Sequence, residues 1–552
     1  MPTIPFITSG GPRLAGTSVT TPVRMNAVSQ INIHKTVFDV CVVGSGAAGG
    51  VLSSRLAARG LNVIVVEGGP KVDTRAAFPT HSMPFDFKNR KMPVMMPGVA
   101  GFEDERTRGV GGKTLLWNAV SWRLSHRDFK GYTLEDAGED WPLDYSDLAP
   151  YYDQIEREIG VCGNADHLED LPDGIFLPPM PMRCSDRIIQ RGAARLGIQV
   201  IHVRKATLTR SQAGRPACHY CGNCMAGCDV IAKYNSADVH LAPAALNHKL
   251  TIMHNSVVCE VTLGSENRVN GVRYLSRETL REGTIQTRAV VVSCACVQSV
   301  ALLLMSKSRY YPSGLANSSG ELGKNYIPHF TGNINGFARE LIGSKAVNEE
   351  GALDHAYIPS YMHARRRDHA RSFAVQFNYH NRRLAPWART VDGFGAGLKR
   401  RIKELYPAFV NFAPYGEMLP SSGSRIDLDP EKKDRFGLPK ARVHIQYGEN
   451  ERKLFQAMRR ETRRILEASG VDIISDSLDP ATNHELGGCR MGNDPRRSVV
   501  NAFCQSHDIP NLFVVDGSVF PSASEKNPTL TIMVLAARTA DYMAERFRRA
   551  EL

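Results

Sequence analysis

The sequence predicts an α/β fold in which a Rossmann-like dinucleotide-binding domain, discontinuous along the chain, encloses a second, β-sheet-based domain. Three observations predict it. A βαβ unit with a glycine fingerprint stands near the start. Buried-strand and helix patterns return at the far end. The 552 residues exceed what one ordinary core organises, and residues 327–475 read as mixed strand and loop.

Val37 to Val43 (VFDVCVV) is a short continuous apolar run, the pattern of a strand buried on both faces. After Gly44 to Gly49 (GSGAAG), the stretch AAGGVLSSRLAAR reads as a helix stopped by Gly60. Val63 to Val66 is a second buried strand that ends at Glu67. Asp140 to Ile159 reads as a helix after Trp141-Pro142, and residues 171–182 are Pro-rich and extended. Leu250 to Val272 alternates like paired strands, with Asn270-Gly271 as the turn. Ala289 to Ser293 is a buried strand with a helix from about Gln298. One charged helix, Asn450 to Ser469, interrupts the middle region. Asn511 to Asp516 is again a strand, and a last helix runs from near Pro528 to about Arg548. There is no internal repeat. The expected limits are a flexible tail at 1–35, a dinucleotide domain at 36–160, 235–326 and 476–552, a lid at 161–234 and a substrate domain at 327–475.

Composition is that of a globular chain, with 42% hydrophobic and 22% charged residues. No apolar run approaches the roughly 18 residues of a membrane span. The net charge of +12 comes without any nucleic-acid-binding motif, so nucleic acid is excluded as a partner. The basic runs Arg365-Arg366-Arg367 and Lys399-Arg400-Arg401 read as solvated faces. The first 35 residues lack a charged segment followed by an apolar one, and there is no twin arginine. That reads as cytoplasmic, or as periplasmic by co-export with a signal-bearing subunit.

Gly44, Gly46 and Gly49 form G-x-G-x-x-G between strand and helix. They serve the tight turn, the approach of backbone to a pyrophosphate and close helix packing, with Ala47 opening the helix whose N-terminus faces the phosphates. The Glu67 carboxylate at the next strand end suits ribose hydroxyls and repels a 2′-phosphate. This unit alone does not separate NAD from FAD.

Four further segments carry a family resemblance. Arg108 to Asn118 (RGVGGKTLLWN), His484 to Gly492 (HELGGCRMG), Asn511 to Pro521 (NLFVVDGSVFP) and Asn527 to Thr531 (NPTLT) resemble, in order, segments of the glucose-methanol-choline (GMC) oxidoreductases. Within the family the chain looks most similar to pyranose 2-oxidase and to bacterial glucoside 3-dehydrogenase and gluconate dehydrogenase flavoproteins. The resemblance spans about residues 36–548 and is thin over 330–475. It implies FAD, contacted by Arg108, Gly111, Gly112, Trp117 and Asn118, by Asp516 and Gly517, and by Pro528 and Thr529. Gly111 and Gly112 let backbone lie against the flavin. Leu116 stands where pyranose 2-oxidase carries the histidine that bonds to FAD, so FAD is expected to be non-covalent.

The implied reaction is oxidation of an alcohol carbon, a ring hydroxyl of a pyranose or glycoside, by hydride transfer to flavin N5. A base takes the hydroxyl proton, and a neutral imidazole suits that task. His484 holds the family position of the base. Asn527 stands ready to bond the substrate oxygen, although Asn527-Pro528 is also a good helix N-cap with Pro at the first position. Cys218, Cys221, Cys224 and Cys228 have the spacing of a ferredoxin cluster run, with Asp229 where Pro is usual. The resemblance implies a [3Fe-4S] or [4Fe-4S] cluster; zinc and disulfides are the structural alternatives. A cluster would favour a dehydrogenase with a cytochrome or quinone acceptor and a small accessory subunit. The rivals are an oxidase of the same fold and a non-catalytic electron-transfer protein.

Overall fold

The structure is a computed structural model that describes residues 36–78, 108–222, 224–345, 356–360, 368–377 and 386–552. The expected tail at 1–35 and the basic run at 365–367 lie outside them. The first sheet has seven strands: β1 (Val37–Val43), β2 (Val63–Val66), β4 (Leu250–Met253), β5 (Ser256–Leu263), β6 (Val269–Ser276), β7 (Glu282–Val292) and β15 (Leu512–Val514). The order β4-β2-β1-β7 is parallel, with β15 also parallel to β7, while β6 and β5 continue antiparallel. The Val- and Ile-rich runs of β1 and β2 are there because both faces are covered, and all four residues of β2 are buried. Helix α1 (Ala47–Ala58) follows β1 and lies against α6 (Thr529–Arg548), which in turn rests on α2 (Tyr145–Ile159). Helix α3 (Cys296–Met305) follows β7.

Two expectations are corrected here. The hairpin turn lies not at Asn270-Gly271 but at residues 264–268, where Glu266 and Asn267 take φ of 58° and 55°. Gly271 sits inside β6, and a Cβ there would lie 2.2 Å from the Ile285 carbonyl oxygen, so its missing side chain serves strand packing. The second correction is a helix in the middle region that the pattern hid, α4 (Gly395–Leu405); its two opening glycines are poor helix formers.

The second sheet runs β14-β8-β11-β10-β9-β3. Its strands are β3 (Ile201–His202), β8 (His329–Ala338), β9 (Ala356–Ile358), β10 (Phe373–Phe377), β11 (Phe409–Gly416) and β14 (Val471–Asn483). A hairpin of β12 (Arg425–Lys433) and β13 (Pro439–His444) stands apart. Helix α5 (Glu449–Ala468) covers this sheet with Leu454, Met458 and Ile465, spaced to face one side. β14 crosses the expected boundary at 475/476 unbroken. Its antiparallel register pairs Asn483 with His329, the last residue of one strand against the first of the other. Trp387 stacks on Phe409 and is core.

Candidate active site

A cavity of about 660 Å³ runs from the β1–α1 turn to the end of β14. At one end it is lined by Gly44, Gly46, Ala47, Glu67 and Arg108. Gly44 takes φ +103°, and a Cβ on it would meet the Ser293 carbonyl oxygen at 2.3 Å. A Cβ on Gly49 would lie 2.0 Å from the Gly44 carbonyl, which is the close helix-to-turn approach the fingerprint requires. At Gly46 nothing stands within 4 Å, so its backbone faces open cavity. The Glu67 carboxylate accepts from Ser45 Oγ at 2.6 Å and from Gly69 N at 2.8 Å. Burial pushes this carboxyl up, and the Ser45 and Gly69 bonds with the Arg108 charge oppose that. Gly111 lies behind the wall, where its N–H donates to Ser45 Oγ at 3.0 Å.

The middle is lined by Gly112, Leu116, Trp117, Asn118, Ala295, Asp516 and Gly517. Trp117 Nε1 donates to the Tyr234 carbonyl at 2.8 Å, and Lys205 Nζ donates to Asn118 Oδ1 at 3.0 Å, so both side chains are held. Asp516 is buried and accepts from Ser299 Oγ and from Ser518 N. Two buried polar atoms on the wall, Ser293 Oγ and Gln298 Oε1, have no hydrogen-bond partner among the described residues. An elongated cleft with a helix N-terminus at one end, open space over Gly46 and unsatisfied polar atoms along it fits a dinucleotide such as FAD.

At the other end stand His484, Asn527, Gln376, Tyr415, Asn483, Pro528 and Thr529. His484 directly follows β14 with φ +52° and lines the cavity. Asn527 Nδ2 lies 3.0 Å from His484 Nε2. Gln376 Nε2 donates to Asn527 Oδ1. His484 Nδ1 lies 2.9 Å from His329 Nδ1, and His329 Nε2 reaches the Ser524 carbonyl. The Tyr415 ring closes the group at 5.3 Å from the His484 ring. Burial, then His329 and Lys113, hold His484 well below the ordinary histidine range; burial takes His329 down to about 4. Helix α6 has Pro528 at its N-cap, and the Asn527 side chain faces the cavity, so the N-cap expectation for Asn527 does not hold.

Behind Asn527 lies a buried charge cluster. Asp128, Glu417 and Glu525 bring carboxylate oxygens within 4.8 Å of one another. Lys526 Nζ bonds Asp128 at 2.9 Å and Glu525 at 2.8 Å, and Arg371 Nε meets Glu417 at 2.9 Å. Three acids face two cations. Burial, with Glu525 and Asp128 beside it, pushes Glu417 well up, and the Arg371 guanidinium opposes that.

Among the described residues no disulfide links the four clustered cysteines. A tetrahedral zinc ion with bonds of about 2.3 Å needs sulfurs roughly 3.8 Å apart. No three of these thiols come within 4.8 Å of one another. Lys233 ties their loop to the cofactor loop, donating to Cys224 O at 2.7 Å, Trp117 O at 2.9 Å and Leu115 O at 3.1 Å. Met225 reaches the cavity wall.

Sequence models of GMC oxidoreductases match residues 102–331 and 420–536, and one of FAD-binding domains matches residues 39–84. The chain belongs to the GMC oxidoreductase family. As a GMC oxidoreductase it is an FAD-dependent enzyme acting on alcohol groups. It is 27% identical to the fructose dehydrogenase large subunit of Gluconobacter japonicus, over 91% of this chain and 97% of that one. It is 29% identical to 2-methyl-1,2-propanediol dehydrogenase of Mycolicibacterium austroafricanum, over 92% and 95%. It is 28% identical to paromamine 6'-oxidase of Streptomyces fradiae, over 92% and 91%. The structure brings the GMC segments around one cavity, and it adds His329, Gln376 and Tyr415. These three lie in the sheet domain, outside any motif; the only hint in the sequence is that polar His329 and Gln376 interrupt apolar strand patterns.

Proposed function

We propose that this GMC oxidoreductase is a dehydrogenase that oxidises a ring hydroxyl of a pyranose or glycoside, with His484 as base and Asn527 as donor to the substrate oxygen. The observation that carries the reading is the 3.0 Å pair of His484 Nε2 and Asn527 Nδ2 on the cavity wall. Bound FAD supplies a two-electron, hydride-accepting centre. A hydroxyl seated against the pair, in place of their direct bond, donates its proton to Nε2 while the Asn527 amide donates to its oxygen, so charge developing there is met by a fixed dipole. Gln376 holds the amide in the donating orientation. The polar end of the cavity and the fructose-oxidising relative support a sugar.

The experiment is anaerobic mixing of the FAD-loaded enzyme with glucose, fructose and methyl glucosides while flavin absorbance is followed. The expected result is bleaching by at least one sugar, slowed about 10²- to 10⁴-fold in His484→Asn with FAD content unchanged. Bleaching at the unaltered rate in that variant sinks the base assignment. The paromamine 6'-oxidase relative favours a second reading, an oxidase. Reoxidation of the reduced flavin in air faster than by a quinone or cytochrome c supports it.

The cysteine loop is proposed to hold a [3Fe-4S] or [4Fe-4S] cluster. The Cys-x2-Cys-x2-Cys-x3-Cys spacing of Cys218, Cys221, Cys224 and Cys228 is what supports the reading. Such a centre would supply one-electron chemistry, with Cys221, Cys224 and Cys228 as the leading ligands. Iron and acid-labile sulfide lost together in Cys224→Ser test it. No helix among the described residues is long and apolar enough to cross a membrane. A small accessory subunit and a cytochrome acceptor, with co-export to the periplasm as the alternative to a cytoplasmic location, complete the proposal.

A further inference from the structure

We propose that His329 is a positioning residue that holds His484 in its Nδ1–H tautomer, leaving Nε2 unprotonated toward the cavity. This rests on the reading of His484 as the base. The chain of bonds has one consistent direction. A carbonyl oxygen only accepts, so the nitrogen facing Ser524 O, His329 Nε2, carries hydrogen. His329 is fully buried, and burial takes it down to about 4, so the ring is neutral and its Nδ1 is a lone pair. His484 Nδ1, 2.9 Å away, must then be the donor. A neutral His484 has only one N–H, so its Nε2 is an acceptor. The far end agrees independently. Gln376 Nε2 donates to Asn527 Oδ1, which turns Asn527 Nδ2, a donor only, toward His484 Nε2 at 3.0 Å. Two separately anchored ends, one a backbone carbonyl and one a buried amide, thus place the same lone pair.

The anchors come from the fold. The β8–β14 register sets His329 beside Asn483 and hence beside His484. The Ser524 carbonyl belongs to the segment that Arg371 ties down through Ala523 O at 3.2 Å and that Lys526 fixes to Asp128. The other titratable groups near the pair are Tyr415 from β11, Lys113 from the cofactor loop, and Glu485 and Glu525 beside the chain. The Lys113 ammonium and the Glu485 carboxylate lie 3.7 Å apart.

The first measurement is on the wild-type holoenzyme, labelled with ¹⁵N-histidine, with resonances assigned by the His329→Gln and His484→Asn variants. The expected spectrum shows His484 protonated at Nδ1 and bare at Nε2. A proton on Nε2 overturns the proposal, whatever the variants do. The second measurement is anaerobic flavin reduction by the most active alcohol. Glutamine both donates and accepts, so His329→Gln can bridge Ser524 O and His484 Nδ1 and should stay within about threefold of wild type. His329→Leu cannot accept from His484, and it should lose about 10- to 100-fold with FAD content unchanged. An FAD-loaded His329→Leu that reduces flavin at the wild-type rate overturns the proposal. An unslowed His484→Asn would instead remove the base reading, so the two failures are distinguishable. If His329→Leu does not fold, the wild-type spectrum and the His329→Gln rate still decide the matter.

Discussion

On the proposed reading His484 acts as a base only while neutral, and its surroundings disfavour the charged form. Burial, His329 and Lys113 all disfavour the imidazolium, so the acid limb of flavin reduction by substrate should lie below pH 6.5, with a flat profile above it. Replacing Lys113 with Gln removes a nearby positive charge, and the limb should move to higher pH; stopped-flow reduction across pH 5–8 reads it. His329 also carries a stability consequence. Its folded value near 4 lies below the unfolded 6.5, so below pH 6.5 the unfolded chain binds the extra proton first. The stabilisation is full above 6.5 and is lost as pH falls toward 4, on the order of 3 kcal/mol. Denaturant titrations at pH 7 and pH 4.5 should show that loss, reduced in His329→Gln. Of these residues His484 and Asn527 were legible in the sequence because they sit in ordered motifs. His329, Gln376 and Tyr415 were not, since only strand pairing brings positions so far apart in sequence to one point.

At the scale of elements, the β1–α1 turn was the most legible part, because each glycine in it answers to a separate steric demand. Those demands can be separated experimentally. Gly49→Ala drives a Cβ into the Gly44 carbonyl, so it should lower both the melting temperature of the FAD-free chain and FAD retention. Gly46 has φ −70° and open space, so Gly46→Ala should leave the FAD-free melting temperature unchanged while weakening FAD binding about tenfold or more. Equal retention of FAD in both variants would contradict this assignment. The Asn270-Gly271 hairpin was misread because the same dipeptide that marks a turn also serves inside a strand, where Gly271 gives Ile285 room. Helix α4 escaped notice because its opening glycines lower propensity, and tertiary contact through Leu405 fixes it nonetheless.

At the scale of the molecule, two sheets meet over one cavity, and the cluster of Asp128, Glu417, Glu525, Arg371 and Lys526 fixes the segment that joins them to α6. Removing one member strands a buried charge. Lys526→Met should cost about 3–5 kcal/mol, read by denaturant unfolding of the holoenzyme, whereas exposed pairs such as Arg191 with Glu340 should cost less than about 1 kcal/mol. The parallel order of the first sheet has a further consequence for biosynthesis. β1 must lie between β2 and β7, and Val40 pairs with Ala289, roughly 250 positions later. At the usual pace of about 5–20 residues per second, the ribosome needs roughly 12–50 s to deliver that neighbour. Through that interval the run VFDVCVV has one bare edge, with every N–H and C=O there available to another nascent chain. Yield in the cell is therefore expected to depend on holdase chaperones that occupy this strand until β7 emerges.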